Sequence, residues 1–133
     1  MIRLSPLLLF ASFLYGFAVP DQVADIKGIL MDELCSGTAD LRTFGATGTL
    51  AGGRIVAEAH TKECDLKPAC QKSGYGAYTD DNKFLKFDRP GDRKALAAIK
   101  ASKKLDDFEI EVTGEVKDDM IKVATLKILP SQD

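Results

Sequence analysis

The residues best suited to chemistry in this sequence are three cysteines, Cys35, Cys64 and Cys70, and the only histidine, His60. His60 and Cys64 are spaced H-x-x-x-C, and on a helix this spacing puts both side chains on one face, with Cβ atoms about 5–6 Å apart. Imidazole and thiolate groups at that separation can share one metal ion. Pro68 turns the chain, so that Cys70 can point back toward the pair.

Cys35 follows the first predicted strand and can close the set from the opposite side. With His60, Cys64 and Cys70 it predicts a Cys₃His site for zinc or copper(I). The alternative is structural, because an odd number of cysteines in an exported protein predicts one disulfide and one unpaired thiol. Cys35 would then pair with Cys64 or Cys70, contributing about 2–4 kcal/mol. In that alternative no metal is bound and His60 is an ordinary surface or capping histidine.

Motifs of catalysis are mostly absent. The sequence has neither C-x-x-C-H nor C-x-x-C, so covalent c-type haem and a thioredoxin-like dithiol are not indicated. A nucleophile pair of Cys64 and His60 is conceivable, but the sequence offers no evident oxyanion hole or third group for it. The residues therefore favour a binding module that binds a transition metal or takes part in redox handling through its cysteines and histidine, and the catalytic alternative stays open.

The first 18 residues have the pattern of a cleavable signal peptide. Arg3 gives a short positive region, and the apolar run after Pro6 is shorter than the roughly 20 residues that span a bilayer. Gly16 and Ala18 are the small residues expected before a cleavage site at Val19. The pattern predicts a signal peptide at 1–18 and a periplasmic or secreted domain at 19–133, to be checked by N-terminal sequencing. The alternative is an uncleaved anchor or a buried helix.

Composition limits the partners of the predicted mature chain. Removing 18 of the 133 residues takes away only the charge of Arg3, leaving 17 basic against 20 acidic side chains. This length fits one domain, and the mixed, slightly acidic surface does not favour nucleic acid. A second hydrophobic segment is absent, so no integral membrane segment is expected after cleavage. An envelope protein or ligand remains a candidate partner.

Periodicity predicts a mostly β chain with one or two helices. Alternating or apolar runs predict strands at 26–31, 75–79, 83–88, 108–115 and 121–129. A helix between the third and fourth strands is predicted to begin with Asp92 as N-cap and to run to Lys104. Residues 33–53 suit an irregular loop, residues 54–64 are compatible with a helix, and 33–73 form a cysteine- and histidine-containing excursion after the first strand.

This order predicts an α+β fold with an OB-like five-stranded barrel, and the alternative is a sheet with one helix laid across it. The chain also resembles a group of small exported bacterial proteins of uncharacterised function. The resemblance is carried by G-x-L-x-D-x-x-C from Gly28 to Cys35, by H-x₃-C-x₅-C from His60 to Cys70, and by the Val-Thr-Gly beginning at Val112. It implies architecture and an exported setting, and no catalytic role.

Overall fold

Five strands close into a barrel, in a computed structural model that describes residues 22–37 and 57–131. The strands are β1 (Val23–Asp32), β2 (Tyr75–Tyr78), β3 (Phe84–Phe87), β4 (Glu109–Lys117) and β5 (Met120–Ile128). They pair in the order β1-β2-β3-β5-β4, and β4 returns to β1. Only the β3–β5 pair is parallel among these. The predicted OB-like barrel in an α+β chain is confirmed.

The helices are α1 (Lys62–Asp65), α2 (Pro68–Ser73) and α3 (Arg89–Ala101), with a further helical turn at residues 33–37. As predicted, α3 lies between β3 and β4. Its predicted N-cap was wrong, because Asp88 accepts a 3.0 Å hydrogen bond from the amide of Gly91. Pro90 fits the first turn, where a helix needs no amide donor. Asp92 instead accepts a 2.8 Å hydrogen bond from the amide of Tyr75. Within the described ranges, no helix is long and apolar enough to cross a membrane.

The inward faces of the strands follow the predicted alternation through β4. Phe108, Ile110, Val112 and Gly114 are all buried. On β5 the inward face changes phase, because Thr113 pairs with Thr125 whereas Gly114 pairs with Val123, leaving one extra β5 residue in a bulge. Gly114 permits this bulge, since a Cβ there would lie 2.2 Å from the carbonyl oxygen of Lys122.

The first strand begins earlier than predicted and serves two neighbours. Val23 pairs with Glu115, and the pairing with β4 continues to Ile29, where the pairing with β2 takes over. Side chains alternate across a strand, so Asp32 shares the face of Leu30, which lies in the barrel core. Asp32 itself is fully buried at one end of the barrel.

The excursion after β1 is more helical than predicted. Residues 33–37 form a helical turn where a loop was expected, and Pro68, which was expected to turn the chain, is the first residue of α2. The helix α2 ends at Ser73, the predicted last residue of the excursion, and Gly74 is its C-cap. Residues 38–56, which include most of the predicted loop, and the predicted signal peptide at 1–18 lie outside the described residues.

Backbone hydrogen bonds fix the excursion to the linker between α3 and β4. The amide of Asp107 donates to the carbonyl of Glu58 over 2.9 Å, and the amide of Lys62 donates to the carbonyl of Leu105 over 2.7 Å. The Lys62 ammonium also donates to the carbonyl of Ser102, at the end of α3, over 2.7 Å. His60 lies between these anchors, so its backbone position is set by the barrel.

Candidate metal centre

Asp32 caps the helical turn that carries Cys35. Its Oδ2 accepts a 2.8 Å hydrogen bond from the amide of Cys35, three residues later, as an N-cap aspartate does. A second contact holds the start of the turn, where the amide of Glu33 donates to the carbonyl of Gly74 over 2.9 Å. The Asp32 carboxylate is therefore held in place by the backbone of the turn that follows it. It lies at the covered end of the barrel, which is the end that the excursion residues His60 and Asp65 pack over.

The predicted helical pairing of His60 with Cys64 is wrong. Thr61 has extended backbone angles, φ −99° and ψ 152°, and caps α1 by accepting a hydrogen bond from the amide of Cys64. His60 precedes this cap and lies outside the helix, so the i,i+4 face does not exist. The same cap brings Asp65, at the end of α1, into the buried region that the His60 ring faces.

One imidazole nitrogen faces two buried carboxylates. His60 Nε2 lies 3.1 Å from Asp65 Oδ1 and 3.3 Å from Asp32 Oδ1. Both aspartates are fully buried, and the His60 side chain is 9% exposed. The contact with Asp65 is a hydrogen bond, whereas the Asp32 contact is an ion pair only. In the described part of the chain, Asp32 Oδ1 and Asp65 Oδ2 accept no hydrogen bond.

The three groups shift one another's proton affinities. Burial alone would lower the pKa of His60, but the facing carboxylates outweigh it and raise the pKa to about 10. Burial also opposes ionisation of Asp32, yet the His60 ring and the Cys35 amide lower its pKa overall. Asp65 is different, because burial dominates and raises its pKa. The metal-free cluster is thus an imidazolium between an ionised Asp32 and a carboxyl of weakened acidity.

Two of the cysteines meet beside the same aspartate. The sulfur atoms of Cys35 and Cys70 lie 4.4 Å apart, and both lie within 4.8 Å of a carboxylate oxygen of Asp32. Burial, reinforced by Asp32, raises the pKa of Cys35 to about 12 and also raises that of Cys70. Both groups are therefore thiols at neutral pH in the metal-free protein.

The structure brings together only some of the four predicted metal ligands, which are Cys35, His60, Cys64 and Cys70. Ligand atoms within 4.8 Å of one another form two groups in the described ranges: Asp32, Cys35 and Cys70, and Asp32, His60 and Asp65. Cys64 belongs to neither group. All three cysteines are free thiols in the structure.

The aspartates were not predicted as ligands. Asp32 had two signals in the sequence: it ends an apolar run, and its D-x-x-C spacing to Cys35 is that of an N-cap. Asp65 had no local signal, because its burial depends on how α1 packs against the barrel. The hydroxyl of Tyr75, for example, holds α1 by donating to the Asp65 carbonyl over 2.6 Å.

Comparison with protein-family models, with curated proteins and with solved structures finds no match to the chain. The chemistry of the centre is therefore judged from its donor atoms. Imidazole nitrogen and carboxylate oxygen suit zinc and other borderline ions, and the two thiols add ligands that favour zinc or copper(I). The centre does not favour nucleophilic catalysis by a cysteine, because a protonated His60 has no free lone pair with which to accept the thiol proton.

Proposed function

We propose that the protein is a small exported binding module that holds a transition-metal ion at the covered end of its barrel. Asp32, His60 and Asp65 are the proposed nitrogen and oxygen ligands. The observation that carries the proposal is the convergence of two fully buried carboxylates on a single imidazole nitrogen. Cys35 and Cys70 are the candidate sulfur ligands, because their sulfur atoms lie within 4.8 Å of a carboxylate oxygen of Asp32, the residue shared with the His60 and Asp65 group.

The separations between the donor atoms support this proposal. Metal–nitrogen and metal–oxygen bonds of zinc are about 2.0–2.2 Å, so tetrahedral ligands lie about 3.3–3.6 Å apart and octahedral ones about 2.8–3.1 Å apart. The His60 Nε2 contacts of 3.1 and 3.3 Å with Asp65 and Asp32 fall within this span. An ion could therefore replace the proton on Nε2 with small side-chain movements.

Charge balance supports it too. A buried charge is costly unless it is paired, and here two buried carboxylates face one imidazolium. A divalent ion with a neutral His60 and two ionised aspartates gives a cluster of zero net charge. Asp32 Oδ1, which faces His60 but accepts no hydrogen bond, would gain a bond to the ion. Zinc is the proposed ion, and copper(I) would need both thiolates as ligands.

A zinc competition titration against a chromophoric chelator tests the proposal. Metal-free, reduced protein should take up one zinc ion per chain, with release of protons. His60→Ala and Asp65→Asn should each weaken zinc binding at least about tenfold. Asp118→Asn is the matched control, because Asp118 is an exposed carboxylate with φ 54° that asparagine also adopts. The proposal is wrong if wild type takes up no zinc, or if all three variants bind zinc as wild type does.

A second candidate function has its own support. The 4.4 Å separation of the Cys35 and Cys70 sulfur atoms suits a disulfide-stapled module that binds a protein or envelope ligand without metal. Such a bond closes a loop of about 35 residues and would stabilise the fold by about 4 kcal/mol. Mass spectrometry of natively purified protein separates the candidates. The stapled module predicts an oxidised Cys35–Cys70 pair, a free Cys64 and no bound metal.

A further inference from the structure

Asp32 connects two sets of donor atoms that differ in chemistry. Its Oδ1 faces His60 at 3.3 Å, while its Oδ2 accepts the 2.8 Å hydrogen bond from the amide of Cys35. The two thiols lie beside the same carboxylate, 4.4 Å from each other. A change in the bonding of the thiols therefore acts directly on the ligands available to an ion bound by Asp32.

We propose that Cys35 and Cys70 form a reversible disulfide that controls the affinity of this centre for metal. The inference rests on the proposed metal site and adds its regulation. In the dithiol state, a thiolate of Cys35 or Cys70 can bind the ion beside Asp32, the residue that the two groups of donor atoms share. In the disulfide state, both sulfur atoms are bonded to each other, and only the nitrogen and oxygen ligands remain.

Exposure assigns the two cysteines different roles in the oxidation. Cys70 is buried, with 4% of its surface exposed, whereas Cys35 is partly exposed on its helical turn. A small disulfide oxidant such as oxidised glutathione therefore meets Cys35 first. Cys35 first loses its thiol proton to solvent, and the resulting thiolate attacks one sulfur of the oxidant and releases one glutathione thiolate, which takes up a proton. Cys70 loses its proton in the same way, attacks the Cys35 sulfur and releases the second glutathione. Two protons and two electrons pass from the protein to the oxidant, which leaves as two thiols.

The geometry suits closure without rearrangement of the barrel. The sulfur atoms must approach from 4.4 Å to the bond length of about 2.05 Å. Cys35 lies on the helical turn at residues 33–37, and Cys70 lies on the six-residue α2, so neither is part of a barrel strand. Cys64 lies outside the ligand groups of the described chain and is left as the free thiol.

Metal binding and oxidation of the Cys35–Cys70 pair are thermodynamically linked, so each affects the other equally. If the dithiol binds metal more tightly than the disulfide does, bound metal must protect the dithiol from oxidation by the same factor. Each tenfold preference for the dithiol raises the midpoint potential of the Cys35–Cys70 couple by about 30 mV at saturating metal. Metal and oxidant thus compete for the same pair of sulfur atoms.

The test compares zinc affinity in the reduced protein and in protein oxidised with glutathione disulfide. We expect oxidation to weaken zinc binding at least about tenfold. Cadmium titration of the reduced protein should show the ultraviolet sulfur-to-metal charge-transfer band, and the oxidised protein should lack it. Cys35→Ser and Cys70→Ser should bind zinc equally under both conditions, while Cys64→Ser, the matched control, should keep the redox difference.

Three outcomes would overturn the inference. Equal zinc affinity of reduced and oxidised wild type would refute the control while leaving the metal site standing. Absence of zinc binding in both states would remove the metal site and the control together. A disulfide to Cys64, found by peptide mapping of oxidised wild type, would refute the pairing. This mapping needs no variant, so it decides the pairing even if Cys70→Ser does not fold.

Discussion

Replacing His60 with alanine in metal-free protein tests whether the buried cluster is held together by its charges. Among the residues that the structure describes, His60 is the only cation that faces Asp32 and Asp65, both of which are fully buried, and the substitution removes it. Removing one partner of a buried ion pair typically costs about 3–5 kcal/mol. We expect a loss near 3 kcal/mol, because Asp65, whose pKa is already raised by burial, can take up a proton and relieve the repulsion.

Urea unfolding at neutral pH in the presence of a chelator measures this loss. For a domain with an m value of about 1–3 kcal/mol/M, the midpoint should fall by about 1–3 M. Adding Asp65→Asn to His60→Ala should recover part of the loss, because the second change removes the repelling charge. The double-mutant cycle should therefore give a favourable coupling between His60 and Asp65. A His60→Ala protein within about 0.5 kcal/mol of wild type would refute the electrostatic reasoning.

The remaining predictions concern the barrel and its pH dependence. Gly114→Ala should destabilise the domain by about 2 kcal/mol or more in thermal unfolding, because the added Cβ would clash with a backbone carbonyl oxygen. Gly37→Ala is the control and should be nearly neutral, because no atom lies within 4 Å of the Cβ that it would add. Val112→Asp and Val123→Asp, at positions 0% and 6% exposed, should each cost several kcal/mol, and unchanged melting temperatures would contradict the strand facing. The pKa of His60 rises from 6.5 to about 10 on folding, so its contribution to metal-free stability is full below pH 6.5 and is lost as pH rises through 10. His60→Gln should flatten that part of the stability profile, and a stability that rises over this range in wild type would contradict the sign.

The barrel could be predicted from sequence because its pattern is local. Alternation at period two identified β4, and the turn residues between the strands marked where each one ends. The errors came where two local signals compete. Asp92 was predicted as the N-cap of α3, although a proline two residues after Asp88 equally marks the first turn of a helix that begins at Arg89. Apolar residues on both faces of β5 suit a strand that is covered on both sides, but here they result from the bulge opposite Gly114, where the inward face changes phase.

The centre could be predicted only in part, because its ligands meet through tertiary contacts. Cys35 and Cys70 were identified by residue type, and the structure does bring them together. The H-x-x-x-C interpretation assumed an uninterrupted helix and failed at one residue, Thr61, whose side chain caps α1 instead of continuing a turn. Asp65 needed knowledge of packing, since a carboxylate is identified as a ligand by its burial and its neighbours rather than by spacing.

The double pairing of β1 also has a consequence for the order of folding. Val23 pairs with Glu115, which is 92 residues further along the chain, whereas Asp32 pairs with Tyr75. Contacts at such separations slow folding, because a long segment of chain must be ordered before they form. During synthesis from the N-terminus, β1 therefore stays without its β4 neighbour until nearly the whole domain has been made. A chain truncated before Glu109 would lack β4 and β5. The edge of β1 that pairs with β4 and the edge of β3 that pairs with β5 would then be open, with backbone groups free to pair with other chains.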